Sequence, residues 1–222
     1  MNYDAYVSCY SPILDKFVNL LKDKEIIGYV NHSLYTPILN YNFTSFKCFY
    51  IGINWELCSN KPTRYSKLLK LLDSHNLINI YGPKIFLNIN IWKGYNSYSS
   101  EINFDITSII HEINKSGICL VLSSESHKNS QIFSNRLFEG LAAGVPLICD
   151  DNSFIRKIFN NNVFYIDGVD EELSYNQIIN HIYFIKNNQD IVKNKIENCR
   201  KIFLDKFLLS KQLNDLFNKI PK

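Results

Sequence analysis

Short apolar runs alternate along this chain with stretches in which apolar residues recur three and four positions apart. Lys47–Ile53 (KCFYIGI) is nearly all apolar, as in a strand covered on both faces. After a loop over Asn54–Pro62, Thr63 is placed to cap a helix whose apolar face is Tyr65, Leu68, Leu69 and Leu72. Leu77–Tyr81 reads as the next strand, closed by Gly82 and Pro83. Asp105 caps a helix with Ile106, Ile109, Ile110 and Ile113 on one face, and Gly117 stands where a helix end wants a left-handed residue. Ile118–Leu122 follows as a strand, Asn135–Ala143 as a helix, Val145–Cys149 as a strand, Ser153–Phe159 as a short helix and Val163–Ile166 as a last strand. From Glu171 onward the pattern is helical, in two or three segments. Upstream, Ala5–Tyr10 and Glu25–Val30 read as strands flanking a helix over Pro12–Asp23, and residues 31–46 as a linker. Residues 84–104, rich in Asn, Ser and Tyr, show no period.

Strands separated by helices imply right-handed crossovers and a parallel sheet covered on both sides. The expected fold class is α/β: a doubly wound, Rossmann-like parallel sheet over 46–205, preceded by 1–45 and followed by a C-terminal helical segment over 206–222.

Composition narrows the function classes. Apolar residues at 46% and charged residues at 20% of 222 allow a sizeable core. A net charge of +3 is too small to argue for nucleic acid. The chain has no apolar run of the ~20 residues a membrane span needs, and no secretory leader pattern at its start. Cys9, Cys48, Cys58, Cys119, Cys149 and Cys199 form no C-x-x-C pair, and the histidines have no metal-ligand spacing. Buried, reduced thiols and no metal are expected.

Open parallel sheets bind ligands beyond the carboxyl ends of their strands. The residues there are Gly52 and Asn54, then Gly82 and Pro83, then Ser123, Ser124, Glu125, Ser126, His127 and Lys128, and finally Asp150, Asp151 and Asn152. The run SSESHKNSQIFSNRLFEGLAAGVPLICDDN, 123–152, is the most informative. Its helix starts near Ser134 or Asn135, and the positive end of such a helix suits a diphosphate. Arg136 and Glu139 are three apart and share a face: the Arg can meet phosphate, and the carboxylate can accept ribose hydroxyls. The plainer reading is a solvated ion pair; the small residues Gly140, Ala142, Ala143 and Gly144 that follow favour the functional one. His127, read as lying in the loop before that helix, is a weak catalytic candidate or a donor to phosphate or sugar, and Lys128 a phosphate contact. Asp150 and Asp151 read as strand-end residues facing sugar or solvent. Neither a G-x-G-x-x-G nor a G-x-x-x-x-G-K-[ST] loop is present.

FYIGINWE (49–56), INIYGP (78–83), the block from 116 to 152 and VFYID (163–167) together resemble the carboxyl-terminal, nucleotide-sugar-binding half of GT-B glycosyltransferases. The nearest likeness is to the family-1-like bacterial enzymes of surface polysaccharide biosynthesis. The resemblance implies a transferase that moves a sugar from a nucleotide-sugar donor to a glycan or lipid-linked acceptor. Glu139 would hold the ribose, Ser134, Asn135 and Arg136 the diphosphate, and the loop at Gly52 and Asn54 would face the phosphates. Gly82, Ser124, His127, Lys128 and Asn152 complete the expected donor-binding set. No cofactor beyond the nucleotide-sugar substrate and no metal is implied. The frequent acid eight positions before Glu139 is Gln131 here, which leaves retention or inversion of the sugar's configuration open. Residues 1–45 would then be the remnant of an amino-terminal domain and its linker, with a separate amino-terminal partner completing the acceptor site. The expected location is cytoplasmic, either free or peripheral at the inner membrane face. Two alternatives stand beside this reading: a sugar-nucleotide epimerase on the same scaffold, and a catalytically incomplete nucleotide-sugar-binding subunit.

Overall fold

The computed structural model describes residues 6–8, 16, 20, 26–31, 39–41, 43–54, 58, 65–103, 105–130 and 132–220. Most of the expected helix over Pro12–Asp23, half of the linker (32–38 and 42), the cap at Thr63, Gln131 and Cys9 lie outside them. Strands β1 (Tyr6–Ser8) and β2 (Ile26–Tyr29) form a parallel pair of their own. The main domain runs β3 (Lys47–Ile51), α1 (Ser66–Ser74), β4 (Ile78–Tyr81), β5 (Ile85–Phe86), β6 (Ile89–Asn90), β7 (Tyr98–Ser100), α2 (Ile106–Ser116), β8 (Gly117–Val121), α3 (Glu125–Ser130), α4 (Asn135–Ala143), β9 (Leu147–Asp150), α5 (Ser153–Phe159) and β10 (Phe164–Ile166). It closes with α6 (Glu171–Asn187), α7 (Gln189–Ile202), a π-helical turn (Phe203–Phe207) and α8 (Leu209–Phe217).

Six strands form one sheet in the order β7-β4-β3-β8-β9-β10, every neighbouring pair parallel. This is the doubly wound order of the Rossmann fold, whose topological switch point falls between the first strand and the fourth, here β3 and β8. Successive strand residues point to opposite faces. Phe49, Val121 and Cys149 pack against α2, α4 and α7, while Cys48, Leu120 and Ile148 pack against α1 and α6. The predicted apolar faces of α1 and α2 are buried, apart from Ile106, which is 45% exposed in the first turn of α2. Asp105 caps α2 by accepting the Ser108 amide at 2.7 Å. Instead of a described local cap, α1 has a tertiary one: Glu171 of α6 accepts the Leu68 amide at 2.8 Å, satisfying one of the amides that a helix start leaves over.

The segment without a period, 84–104, is a crossover that uses no helix. It contains the β5–β6 hairpin, a turn that buries Ile91, Trp92 and Tyr95 against the sheet, and edge strand β7. The Asp73 carboxylate holds its far end by accepting the amides of Asn96 and Ser97 at 3.2 and 2.6 Å. Aromatic packing replaces amphipathic periodicity there, so no helical or alternating signal was available. Residues 125–130, read as loop, are the short helix α3.

At the C-terminal end α8 returns to β2, where Gln212 accepts the Asn31 amide at 2.7 Å. Its outer side leaves Leu213, Phe217 and Ile220 exposed, at 36%, 65% and 44%. Cys48, Cys119, Cys149 and Cys199 are buried free thiols, and burial pushes those of Cys48 and Cys199 up to about 12.

Candidate functional site

The crevice at the switch point holds a cavity of about 500 Å³. Tyr50 and Ile51 of β3 and Leu120 and Leu122 of β8 and its exit supply one side. His127 of α3, Ile132, Phe133 and the first residues of α4, Ser134, Asn135 and Arg136, supply the other. A cavity of this size, with apolar side chains and several convergent polar groups in its lining, is in the range of small-ligand sites.

The start of α4 is set by Ser134, whose hydroxyl accepts the Arg136 amide at 3.3 Å, a long cap bond that a ligand oxygen can replace. The helix sits tightly on the sheet because Gly140 has no side chain. A Cβ there would lie 2.5 Å from Leu147 Cδ2 and 2.8 Å from Cys119 Sγ. That contact fixes the height of the helix start above the strand ends. Arg136 donates from Nη1 to Glu139 Oε2 and lies 5.5 Å from the centroid of the Phe49 ring. Glu139 is 8% exposed; burial raises its carboxyl pKa, and the Arg136 guanidinium counteracts that. The Tyr50 phenol is raised by burial, again opposed by Arg136. Among the described residues, Arg136 is the Lys or Arg that lines the cavity, with a helix amino end beside it and Glu139 bonded to it.

The predicted site residues divide into groups. His127, Ser134, Asn135 and Arg136 line the cavity, and Glu139 joins them through Arg136 without lining it. Gly52 and Gly82 meet each other: Gly82 has φ 134, and a Cβ on it would stand 2.3 Å from the Gly52 carbonyl oxygen. This close approach of two strand exits needs a glycine at Gly82. Asn54 is buried in the loop after β3 and does not line the cavity. Ser124 caps α3, accepting the His127 amide at 3.2 Å. Lys128 points elsewhere. Its ammonium is 3.0 Å from Asp150 Oδ2, and it lines a second cavity of about 410 Å³ together with Asp151, Asn152, Ser153 and Arg156. Asn152 caps α5 through Oδ1, at 2.9 and 3.4 Å from the amides of Phe154 and Ile155.

Asp150 departs from its expected place facing sugar or solvent. It is fully buried and accepts from the Ser123 amide at 3.1 Å, the Tyr65 hydroxyl at 2.8 Å and Lys128. It ties β8, β9, α1 and α3 together. Asp151 does face solvent, paired with Arg156 at 3.0 Å. Tyr50 and Phe133 were missed as site residues. Tyr50's place near the carboxyl end of the switch-point strand was the available signal; Phe133 had none. Among the described residues no three His, Cys, Asp or Glu side chains group as metal ligands. Nor is any helix there long and apolar enough to cross a membrane.

Comparison with known proteins places the fold. A family model described as glycosyl transferase-like matches residues 64–216. No curated protein matches the sequence. Among solved structures, a mutant of TarM from S. aureus in complex with fondaparinux, alpha-GlcNAc-glycerol and UDP is similar at TM-score 0.61 and 11% identity, over 96% of this chain and 43% of that one. Sucrose-phosphate synthase from Thermosynechococcus elongatus is similar at TM-score 0.63 and 12% identity, over 98% of this chain and 58% of that one. The pneumococcal O-GlcNAc transferase GtfA, in complex with UDP and GlcNAc, is similar at TM-score 0.58 and 12% identity, over 99% of this chain and 46% of that one. The chain thus spans about half the length of these solved neighbours. At such identities the structures establish a shared fold, and the family model carries the assignment: the chain belongs to the glycosyl transferase-like family, and its six-stranded domain is a Rossmann-like GT-B domain.

Proposed function

We propose that this domain binds the donor of a glycosyltransferase reaction, in which a sugar leaves a nucleotide diphosphate for a glycan or lipid-linked acceptor. The observation that carries the reading is the switch-point cavity lined by Arg136, which sits at the amino end of α4 with Glu139 bonded to it. A diphosphate entering there draws the guanidinium toward its oxygens. Glu139, released from Arg136, then becomes an acceptor for two ribose hydroxyls. In an oxocarbenium-like transfer the leaving diphosphate gains charge, which Arg136 and the helix end stabilise without reorganising. Arg136 fills the role a metal would otherwise have. His127, on the same cavity, is placed to donate to a phosphate or to the departing sugar oxygen. Lys128, Asn152, Ser124 and Gly82 hold the fold around the site and do not touch the donor.

We place the acceptor site on a second domain facing the carboxyl ends of the strands, supplied by an amino-terminal partner. The chain's coverage of about half of each solved neighbour supports a second domain, on the same polypeptide or on a partner. The protein works in the cytoplasm, peripherally at the inner membrane face when its acceptor is lipid-linked.

Calorimetric titration with uridine, guanosine, thymidine and cytidine diphosphates tests the reading. At least one is expected to bind. Arg136→Ala should weaken it by about 2 kcal/mol, the worth of a charge-assisted bond pair. If none of the four binds to the folded protein, the donor site is wrong.

A further inference from the structure

The β5–β6 hairpin has no part in the donor cavity, and its composition is unusual for an exposed tip. Ile85, Leu87 and Ile89 are 64%, 68% and 38% exposed. The central turn residues Leu87 and Asn88 have φ of 50 and 61, the geometry of a type I′ turn, whose two central places favour Asn and Gly. An apolar leucine thus holds the outermost place in a backbone conformation that such residues avoid. Phe86, half-buried against the sheet, roots the hairpin, and Ile91 and Trp92 beneath it are buried. Lys84 and Lys93, both exposed, flank it, and residues 83–100 contain no Asp or Glu. The Lys84 amide donates to Glu101 Oε1 at 2.8 Å, which fixes the hairpin base beside the exits of β4 and β7. The tip therefore stands at the carboxyl end of the sheet, the end that carries the cavity.

We propose that this hairpin is a membrane-docking tip for an anionic bilayer. Ile85, Leu87 and Ile89 enter the boundary between headgroups and acyl chains, and Lys84 and Lys93 meet the lipid phosphates. Exposed apolar side chains between two exposed lysines, with a single carboxylate, Glu101, held at the base by the Lys84 amide, match an interface that is apolar inside and negative at its rim. Docking at this end sets the cavity beside the plane in which a lipid-linked acceptor would lie. The inference rests on the peripheral placement proposed above and names the surface responsible for it.

The test is co-sedimentation of the full chain with vesicles of phosphatidylcholine, with and without phosphatidylglycerol. Binding is expected to the anionic vesicles and to fall as salt rises. The Ile85→Ser, Leu87→Asn double variant should bind about tenfold more weakly or worse. Leu87→Asn suits the turn geometry, so the variant should unfold at the same denaturant concentration or higher. Lys84→Glu with Lys93→Glu should remove the preference for anionic vesicles. Nucleotide titration of the same variants should be unchanged. Equal vesicle binding by wild type and double variant would overturn the hairpin's role while leaving the peripheral placement standing. Absence of binding by wild type to any vesicle would remove both. A change in oligomeric state of the double variant, with vesicle binding intact, would assign the hairpin to a protein contact instead.

Discussion

Two cavities open side by side at the carboxyl end of the sheet, and they are built from the same kinds of parts. Each has a capped helix start, a cation and a carboxylate. At the switch point, Arg136 is held by Glu139 of its own helix and faces the cavity, so its charge is available to an incoming anion. At the end of β9, Lys128 is tied to the fully buried Asp150 and Arg156 to Asp151, while Asn152 uses Oδ1 to cap α5 and keeps Nδ2 buried without a partner. The difference teaches that strand-end polarity alone does not make one site. A cation bound to a carboxylate with no exposed surface, which also holds the Ser123 amide and the Tyr65 hydroxyl, serves the fold, because removing it leaves an uncompensated charge inside. A cation bound to a carboxylate of its own helix, one turn on, can exchange that partner for a ligand with little else disturbed.

The largest effect should come from breaking the structural pair. Lys128→Ala is expected to cost about 3 kcal/mol of stability in urea unfolding, since Asp150 loses its only cation among the described salt bridges. The same variant should keep its nucleotide affinity, whereas Arg136→Ala should lose it with a smaller stability change. If Lys128→Ala proves neutral in stability but abolishes nucleotide binding, the two cavities have been assigned the wrong way round. The caps give a finer test. Ser134→Ala and Asn152→Ala should each destabilise by about 1 kcal/mol, and only the first should also weaken nucleotide binding.

The smallest effect concerns a group outside both cavities. His181 contacts the Tyr165 carbonyl oxygen at 2.9 Å through Nε2, and burial lowers its pKa. Its folded pKa lies below the ordinary ~6.5, so the unfolded chain binds more protons between the two values. Stability should therefore fall as pH drops through that window, and His181→Gln should flatten the dependence. Nucleotide affinity measured across the same window should not follow it through this residue.

How legible this was depended on how local the signal is. Residues Asn135–Ala143 and Ser153–Phe159 were bounded from sequence as they stand, because caps and spacing are short-range. Strand ends moved by one or two residues. The crossover over 84–104 gave nothing, since Trp92 and Tyr95 pack against Tyr50 and Lys70 from distant parts of the chain and not through a periodic face. Placing His127 in a loop missed α3, a helix too short to carry a hydrophobic repeat. Tyr65 was expected only as part of an apolar stripe. That its hydroxyl reaches Asp150 follows from a contact 85 residues away.

By itself the sequence determined the alternation of strands and helices, hence the doubly wound parallel sheet, and the helix start that brings Ser134, Asn135 and Arg136 together. Those features follow from apolar spacing and capping, which act within a few residues. Which strand-end residues share a cavity was decided only in three dimensions. Strand order puts β8 beside β3 and β9 beside β10, and burial turns Asp150 inward to take Lys128 while Arg136 lines the switch-point cavity. Charge partners are chosen by distance and desolvation, and neither is written in the spacing of the chain.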